Sequence, residues 1–397
     1  MTMINTQIQE NRKNIALKNQ YHLKYHDKIN LGAFYTPTEY VDIVWGMIKP
    51  FLNYKSIVLD SSCGYGNFFD YQINYPKKAN DIDVIATNQT KNNFPEIDVY
   101  SKNALLNVDR KMFDISDNNE LIVIGNPPYN DITSIIRNGI KRDNLEIDPD
   151  IKTRDFGMSF LLSYVKLNAE IICVLHPLSY LIKKSNFNLL KKFTDNYRLI
   201  DGIVIDSGTF KETSKGISFP ILIALYKKEK FGMNYNYIKN YKFKTISNKI
   251  FSLNDFDFIP NYINKYPLKN IKPNGNDILF WTMRDINALK RNRTFVDEFG
   301  YNTIIIDKNK LDYYVYVDVF KQFSHLIPYY FGNLDVFINN EEFKKYKDYF
   351  IYECLTRNSF LKDYIQYNKN ISLQEAKEII INYFKSLIGN HYAYQNN

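Results

Sequence analysis

Between residues 56 and 225 the chain repeatedly sets a short apolar run against a stretch of helical period, and few architectures accommodate that alternation. Residues 56–59, 83–86, 121–124, 171–175, 199–205 and 221–225 read as buried strands. Between the third and fourth runs, residues 156–167 predict a helix with Phe160, Leu161, Tyr164 and Val165 on its buried side. Strands alternating with helices pair in parallel through crossovers, so the expected fold is α/β, a doubly wound, mostly parallel sheet.

The flanks carry their own signals. Residues 1–30 show no sustained apolar period and read as an N-terminal arm. In Thr36-Pro37-Thr38-Glu39, Thr36 is expected as N-cap, Pro37 as the first helical residue and Glu39 as the closing member of a capping box. Val41, Val44, Trp45 and Ile48 would form the apolar face that follows. Ser372-Leu373-Gln374-Glu375 is a second capping-box pattern, before Ala376, Ile379, Ile380, Tyr383 and Leu387. The strand-helix pattern gives out near Lys227-Lys228-Glu229-Lys230, which divides the chain into an arm (1–30), a first domain (31–230) and a C-terminal domain (231–397) of mixed or helical character.

Composition narrows the function classes. Three cysteines, Cys63, Cys173 and Cys354, form no CxxC pair, so neither a disulfide framework nor a structural zinc site is expected, and no metal is required. No apolar run is long enough for a membrane span and the N-terminus lacks a signal core, so a soluble, cytoplasmic protein is expected. The formal net charge is +8, and residues 231–310 hold 13 Lys and Arg against 7 Asp and Glu. Such a run is either a solvated face or a surface for a polyanion. Abundant Asn, Lys, Ile, Tyr and Phe also follow from A+T-rich coding, so aromatic and lysine totals decide little.

Two strand ends carry chemistry. Val58-Leu59-Asp60-Ser61-Ser62-Cys63-Gly64-Tyr65-Gly66-Asn67-Phe68 is an apolar run ending in an acid and a glycine turn, which at the carboxyl edge of a parallel sheet lets backbone amides approach a ligand. It matches neither G-x-G-x-x-G nor a P-loop, and an ordinary tight turn would look the same. Leu121-Ile122-Val123-Ile124-Gly125-Asn126-Pro127-Pro128-Tyr129 is a buried strand followed by a stiff loop. Its prolines stop the ladder, so an amide oxygen, a free carbonyl and an aromatic face are offered to a planar amino group.

With Gly32-Ala33-Phe34-Tyr35-Thr36-Pro37 ahead of them, these segments resemble the γ-class S-adenosylmethionine-dependent N6-adenine DNA methyltransferases of restriction-modification systems, over about residues 31–228. The resemblance implies a class I methyltransferase sheet, S-adenosylmethionine as cofactor, double-stranded DNA as partner and a separately encoded restriction endonuclease as a further one. It places Tyr35, Thr36 and Pro37 at the methionine end of the cofactor and Asp60, Ser62, Gly64 and Gly66 in the loop around it, with Asp60 facing the amino group. Asn126, Pro127, Pro128 and Tyr129 would be the catalytic tetrapeptide. His176, in His176-Pro177-Leu178-Ser179-Tyr180, reads as a framework residue rather than a general base.

Two positions depart from the family. Asn88 stands where an acid commonly follows the second strand to hold the ribose, and Asn103 where an Asp commonly accepts from the cofactor's adenine. Asparagine still accepts but without charge assistance, so cofactor affinity is the property affected. A second aromatic should face Tyr129 across the substrate base. Phe210 is preferred over Phe219, which opens a strand. In the C-terminal domain Arg284, Arg291 and Arg293 are the candidates for base-edge contacts. No Asp…Glu-x-Lys nuclease pattern is evident. Asn-Pro-Pro-Tyr also serves methyltransferases acting on protein glutamine or structured RNA, and the two asparagines would suit a cofactor-poor DNA-binding paralogue.

Overall fold

A computed structural model of the chain describes residues 36–71, 73–129, 146–210, 218–269 and 272–392. The chain divides into one unit of Met1–Gly216 with Ile221–Asn248 and a second of Ile217–Pro220 with Lys249–Asn397. The predicted arm lies outside the described residues.

The first unit is built on β1 (Ser56–Asp60), β2 (Lys77–Asn80), β3 (Asp98–Tyr100), β4 (Glu120–Gly125), β5 (Ile171–Pro177), β6 (Tyr197–Asp206), β7 (Pro220–Lys228) and β8 (Phe243–Thr245). Their order is β3-β2-β1-β4-β5-β7-β6-β8. Neighbours pair in parallel from β3 to β5 and between β6 and β8, while β7 runs antiparallel to β5, with Val174 opposite Ala224. This is the doubly wound, mostly parallel sheet that the alternation predicts. All five residues of β1 and all seven of β5 are buried, as strands covered on both faces must be.

Helix α1 (Thr38–Ile48) buries Tyr40, Val41, Val44, Trp45 and Ile48, which includes the predicted face. Its start differs from expectation. Pro37, extended at ψ 143°, occupies the N-cap position with no side-chain cap, and its carbonyl accepts from Tyr40 N–H at 2.9 Å. Thr36 is therefore not the cap, and its hydroxyl is engaged elsewhere.

The predicted strand at residues 83–86 is also corrected. Asp83 caps helix α2 (Val84–Asn93), its carboxylate accepting from the N–H groups of Ile85 at 2.8 Å and Ala86 at 3.4 Å. The second strand is the earlier Lys77-Lys78-Ala79-Asn80. Its lysines hid it from an apolar-run criterion. The Lys78 stem is buried while its ammonium reaches Asp98 at 2.8 Å and the Tyr100 hydroxyl at 3.0 Å.

Helix α3 (Phe156–Lys166) and the short α4 (Ser179–Ile182) follow β4 and β5. The unit continues beyond residue 230. The helix Tyr235–Asn240 buries Ile238, and β8 buries Phe243 while pairing with β6, so the boundary falls at Asn248.

The second unit is mixed. Strands β9 (Asp257–Phe258) and β13 (Phe337–Ile338) pair, and β10 (Leu279–Trp281) lies between β11 (Phe295–Val296) and β12 (Thr303–Ile305), all antiparallel. Helices α5 (Ile286–Arg291), α6 (Leu311–Gln322), α7 (Asn340–Leu355) and α8 (Leu373–Ile388) complete it. Its core is aromatic: Tyr316 meets Phe343, Phe350, Tyr383 and Phe384. Ser372 caps α8 as expected, accepting from Glu375 N–H at 3.1 Å, whereas the Glu375 carboxylate accepts from the Tyr349 hydroxyl. Among the described residues no helix is long and apolar enough to cross a membrane.

Candidate active site

Strands β2, β1 and β4 are neighbours and end at the same edge, which brings the acid of one motif beside the loop of the other. Asp60 pairs in register with Ile124, one residue before Gly125. Gly125 has φ +137°, and a Cβ there would stand 2.6 Å from Asp60 Oδ1, so only glycine lets the carboxylate pass behind the loop. Asp60 Oδ1 accepts from Ser62 N–H at 3.1 Å, and Oδ2 is buried with no hydrogen-bond partner. Burial pushes the Asp60 carboxyl up to about 8, the Ser62 amide opposing and the Asp81 charge adding to the rise. Ser62 Oγ is likewise buried and unpartnered. Two polar groups are thus presented where protein supplies nothing to satisfy them.

The glycine turn is held open from beneath. Gly64 N–H donates to Asp81 Oδ2 at 2.8 Å, and Gly64 carbonyl accepts from Thr90 Oγ1 at 3.0 Å. Gly64 and Gly66 adopt φ +51° and +77°, and nothing lies within 4 Å of where a Gly64 Cβ would be. Asn80, fully buried, donates to the carbonyls of Ser61 and Lys102, both at 3.0 Å, and so joins the ends of β1 and β3. Asp81, which the sequence reading passed over, is the acid that follows the second strand. Its other oxygen accepts from Asp83 N–H at 2.9 Å, and burial raises its pKa. Ile82 beside it is 49% exposed, an apolar side chain at the lip of the loop.

In the Asn126-Pro127-Pro128-Tyr129 loop, Asn126 Nδ2 donates to Thr36 Oγ1 at 3.2 Å across 90 residues of sequence. With the amide nitrogen turned to that hydroxyl, Asn126 Oδ1 is left buried and without a partner. Burial holds the Tyr129 phenol well above its ordinary pKa, so it is neutral. His176, at the end of β5, lies between aromatic rings, with Nε2 2.6 Å from the Tyr226 hydroxyl. Burial lowers it to about 4, which leaves a neutral ring built into the framework.

The remaining sequence candidates fall in several places. Tyr35 lies outside the described residues. Pro37 precedes α1 next to Thr36. Asn88 is a correction: because the second strand ends at Asn80, Asn88 is an exposed residue within α2 and does not follow a strand. Asn103 does follow β3, where its Oδ1 accepts from Leu105 N–H at 3.0 Å and its Nδ2 donates to Glu146 carbonyl at 2.7 Å. Phe210 is buried against Tyr40 at a centroid distance of 6.1 Å, whereas Phe219 is half-buried, the reverse of what their sequence contexts suggest. In the second unit Ser218 carbonyl accepts from Asn287 Nδ2 at 2.9 Å.

Arg284, Arg291 and Arg293 are exposed. Trp281 N–H donates to Thr294 carbonyl and Thr282 N–H to Asn302 carbonyl, so Arg284, Arg293 and the 96% exposed Tyr301 leave one end of the three-stranded sheet. Arg291 ends α5.

The first unit's donor set fits S-adenosylmethionine. The unpartnered Asp60 Oδ2 suits its ammonium, and the open Gly64 turn admits close approach. Among the described residues no group of three His, Cys, Asp or Glu could hold a metal ion.

No family model matches the chain, and no curated protein matches it. Among solved structures, one described as a class I S-adenosylmethionine-dependent methyltransferase from Listeria monocytogenes is 14% identical, with a TM-score of 0.39, over 58% of this chain and 70% of that one. One described as an RNA methyltransferase from Pyrococcus horikoshii is 15% identical, with a TM-score of 0.34, over 55% of this chain and 98% of that one. A type I restriction-modification system methyltransferase subunit from Streptococcus thermophilus is 12% identical, with a TM-score of 0.33, over 79% of this chain and 57% of that one. The chain thus spans less than two thirds of the Streptococcus subunit. Likeness at these values decides neither substrate nor reaction, and the fold class rests on the strand order itself.

Proposed function

We propose that the chain transfers a methyl group from S-adenosylmethionine to N6 of an adenine flipped out of double-stranded DNA, as the modification enzyme of a restriction-modification system with a separately encoded endonuclease. The observation that carries this reading is Asn126: its amide nitrogen is tied to Thr36, and its oxygen is buried and unpartnered.

Adenine N6 is a poor nucleophile because its lone pair is delocalised into the ring. Asn126 Oδ1 and the Pro127 carbonyl, accepting its two hydrogens, favour a pyramidal nitrogen and aim the lone pair. S-adenosylmethionine supplies, when bound, a methyl group on a positively charged sulfur. Asp60 and Ser62 hold its amino-acid end, and Asp81 holds its ribose side together with the Gly64 turn. Tyr129, neutral, stacks on the extruded base, and Phe210 is the candidate for the opposite face. The work done by these side chains is orientation and electrostatics, with no covalent intermediate on the protein.

The experiment is incubation with methyl-labelled cofactor and a mixed DNA pool, with RNA and release-factor controls, followed by methylation-sensitive sequencing. Label at adenine N6 in one short DNA sequence is the expected result. Label confined to RNA or protein would overturn the DNA reading, and failure to bind cofactor would leave a DNA-binding paralogue.

A further inference from the structure

The catalytic-loop tyrosine is seated on a helix start that has no side chain to spare. Asp155 caps α3, its Oδ1 accepting from Gly157 N–H at 2.9 Å. The same oxygen accepts from the Tyr180 hydroxyl. Tyr180 is 2% exposed, and its ring stacks on His176 at 5.3 Å between centroids and 6° between planes. His176 is fixed in turn by Tyr226. The Tyr180 hydroxyl is therefore held by Asp155 and its ring by His176.

A Cβ at Gly157 would lie 2.6 Å from that hydroxyl and 3.0 Å from Tyr129 Cβ. The first contact is the closer and meets a hydroxyl that Asp155 holds; the second meets Cβ, the stem of Tyr129, so it displaces the whole side chain. Nothing about the backbone explains the glycine. Gly157 sits in the first turn of an α-helix without a positive φ, a place where alanine would favour the helix.

We propose that Gly157, with the Asp155–Tyr180 pair that packs beside it, acts as a set of positioning residues that fix the height of Tyr129 over the substrate base. This rests on the adenine-transfer reading above. None of the three touches the reacting atoms. They act through Tyr129, whose ring must lie parallel to an extruded base for stacking to hold it.

The test uses the full chain labelled with 3-fluorotyrosine, in which the Tyr129 resonance is assigned by its loss in Tyr129→Phe. Gly157→Ala is expected to shift that resonance, leave cofactor affinity unchanged and slow single-turnover methyl transfer several-fold, since Tyr129 must give by a few tenths of an ångström rather than a full one. Gly157→Ala combined with Tyr180→Phe removes the clash at the hydroxyl and keeps the one at Tyr129, so both effects should persist. An unmoved resonance in Gly157→Ala, a moved resonance with unaltered transfer, or recovery of wild-type transfer in the double variant would each overturn the proposal. If the wild-type protein transfers no methyl group to DNA, the adenine reading fails by itself. The resonance then decides the seat alone: a shift in both variants supports it and no shift ends it.

Discussion

Asn126 carries two jobs on one amide, its nitrogen bound to Thr36 and its oxygen left unpartnered. Replacing it with Ala removes the free oxygen as well as the bond to Thr36, while the Asp60 and Ser62 groups are untouched. Loss of one acceptor in the transition state is expected to cost on the order of 3 kcal/mol, or about a hundredfold in turnover, with cofactor binding retained. Kinetics beside calorimetry check it, and wild-type turnover would remove Asn126 from the mechanism. Asp60 gives a pH signature. Its folded pKa of about 8 lies above its unfolded value, so the native state holds the extra proton and stability falls as pH rises from the ordinary carboxylate range toward 8. A cationic amino group prefers the ionised form. Cofactor affinity should therefore rise with pH up to about 8, with proton release on binding below it, and Asp60→Asn should abolish both effects. Calorimetry in buffers of different ionisation enthalpy measures the release. The acid after β2 makes the third case: Asp81→Ala should weaken cofactor binding, whereas Asn88→Asp on the exposed side of α2 should leave it unchanged. Unchanged affinity in Asp81→Ala together with tighter binding in Asn88→Asp would return the ribose position to Asn88.

At the level of elements, legibility followed solvent exposure. β1, β4 and β5 were readable because burial on both faces leaves an uninterrupted apolar run, and the face of α1 because Val41, Val44, Trp45 and Ile48 recur at helical spacing. β2 was not, since a lysine can bury its stem and still bring its ammonium to Asp98. Val84 and Ile85 then drew the strand assignment forward, although both are more than half exposed on the first turn of α2. The cap of that helix is a direct test. Asp83 accepts from two amides there, so Asp83→Ala should cost about 1 kcal/mol of stability by urea unfolding. A neutral result would show that α2 is held by packing alone.

At the scale of the whole molecule, the proposed function assigns reading of the duplex to the second unit. Arg284 and Arg293 leave the same end of one small sheet, and neither takes part in an ion pair among the described residues. Exposed guanidinium groups with no ion-pair partner suit phosphate or guanine. Arg284→Ala with Arg293→Ala should weaken DNA binding and flatten its salt dependence by up to about two phosphate contacts, leaving cofactor binding unchanged. An unaltered salt slope would assign both to solvent. Local chemistry was legible from the sequence alone: the order of the motifs, the strand that ends in Asn-Pro-Pro-Tyr, the alternation that specifies a parallel sheet. Each depends on residues adjacent in the chain, whose hydrophobicity and backbone constraints act wherever they are placed. What only the tertiary structure decided were meetings between distant segments. Thr36 finds Asn126, Asp81 rather than Asn88 braces Gly64, and Phe210 is buried while Phe219 is not. Those outcomes turn on where each strand ends relative to its neighbour, and strand register is set by the packing of the whole sheet.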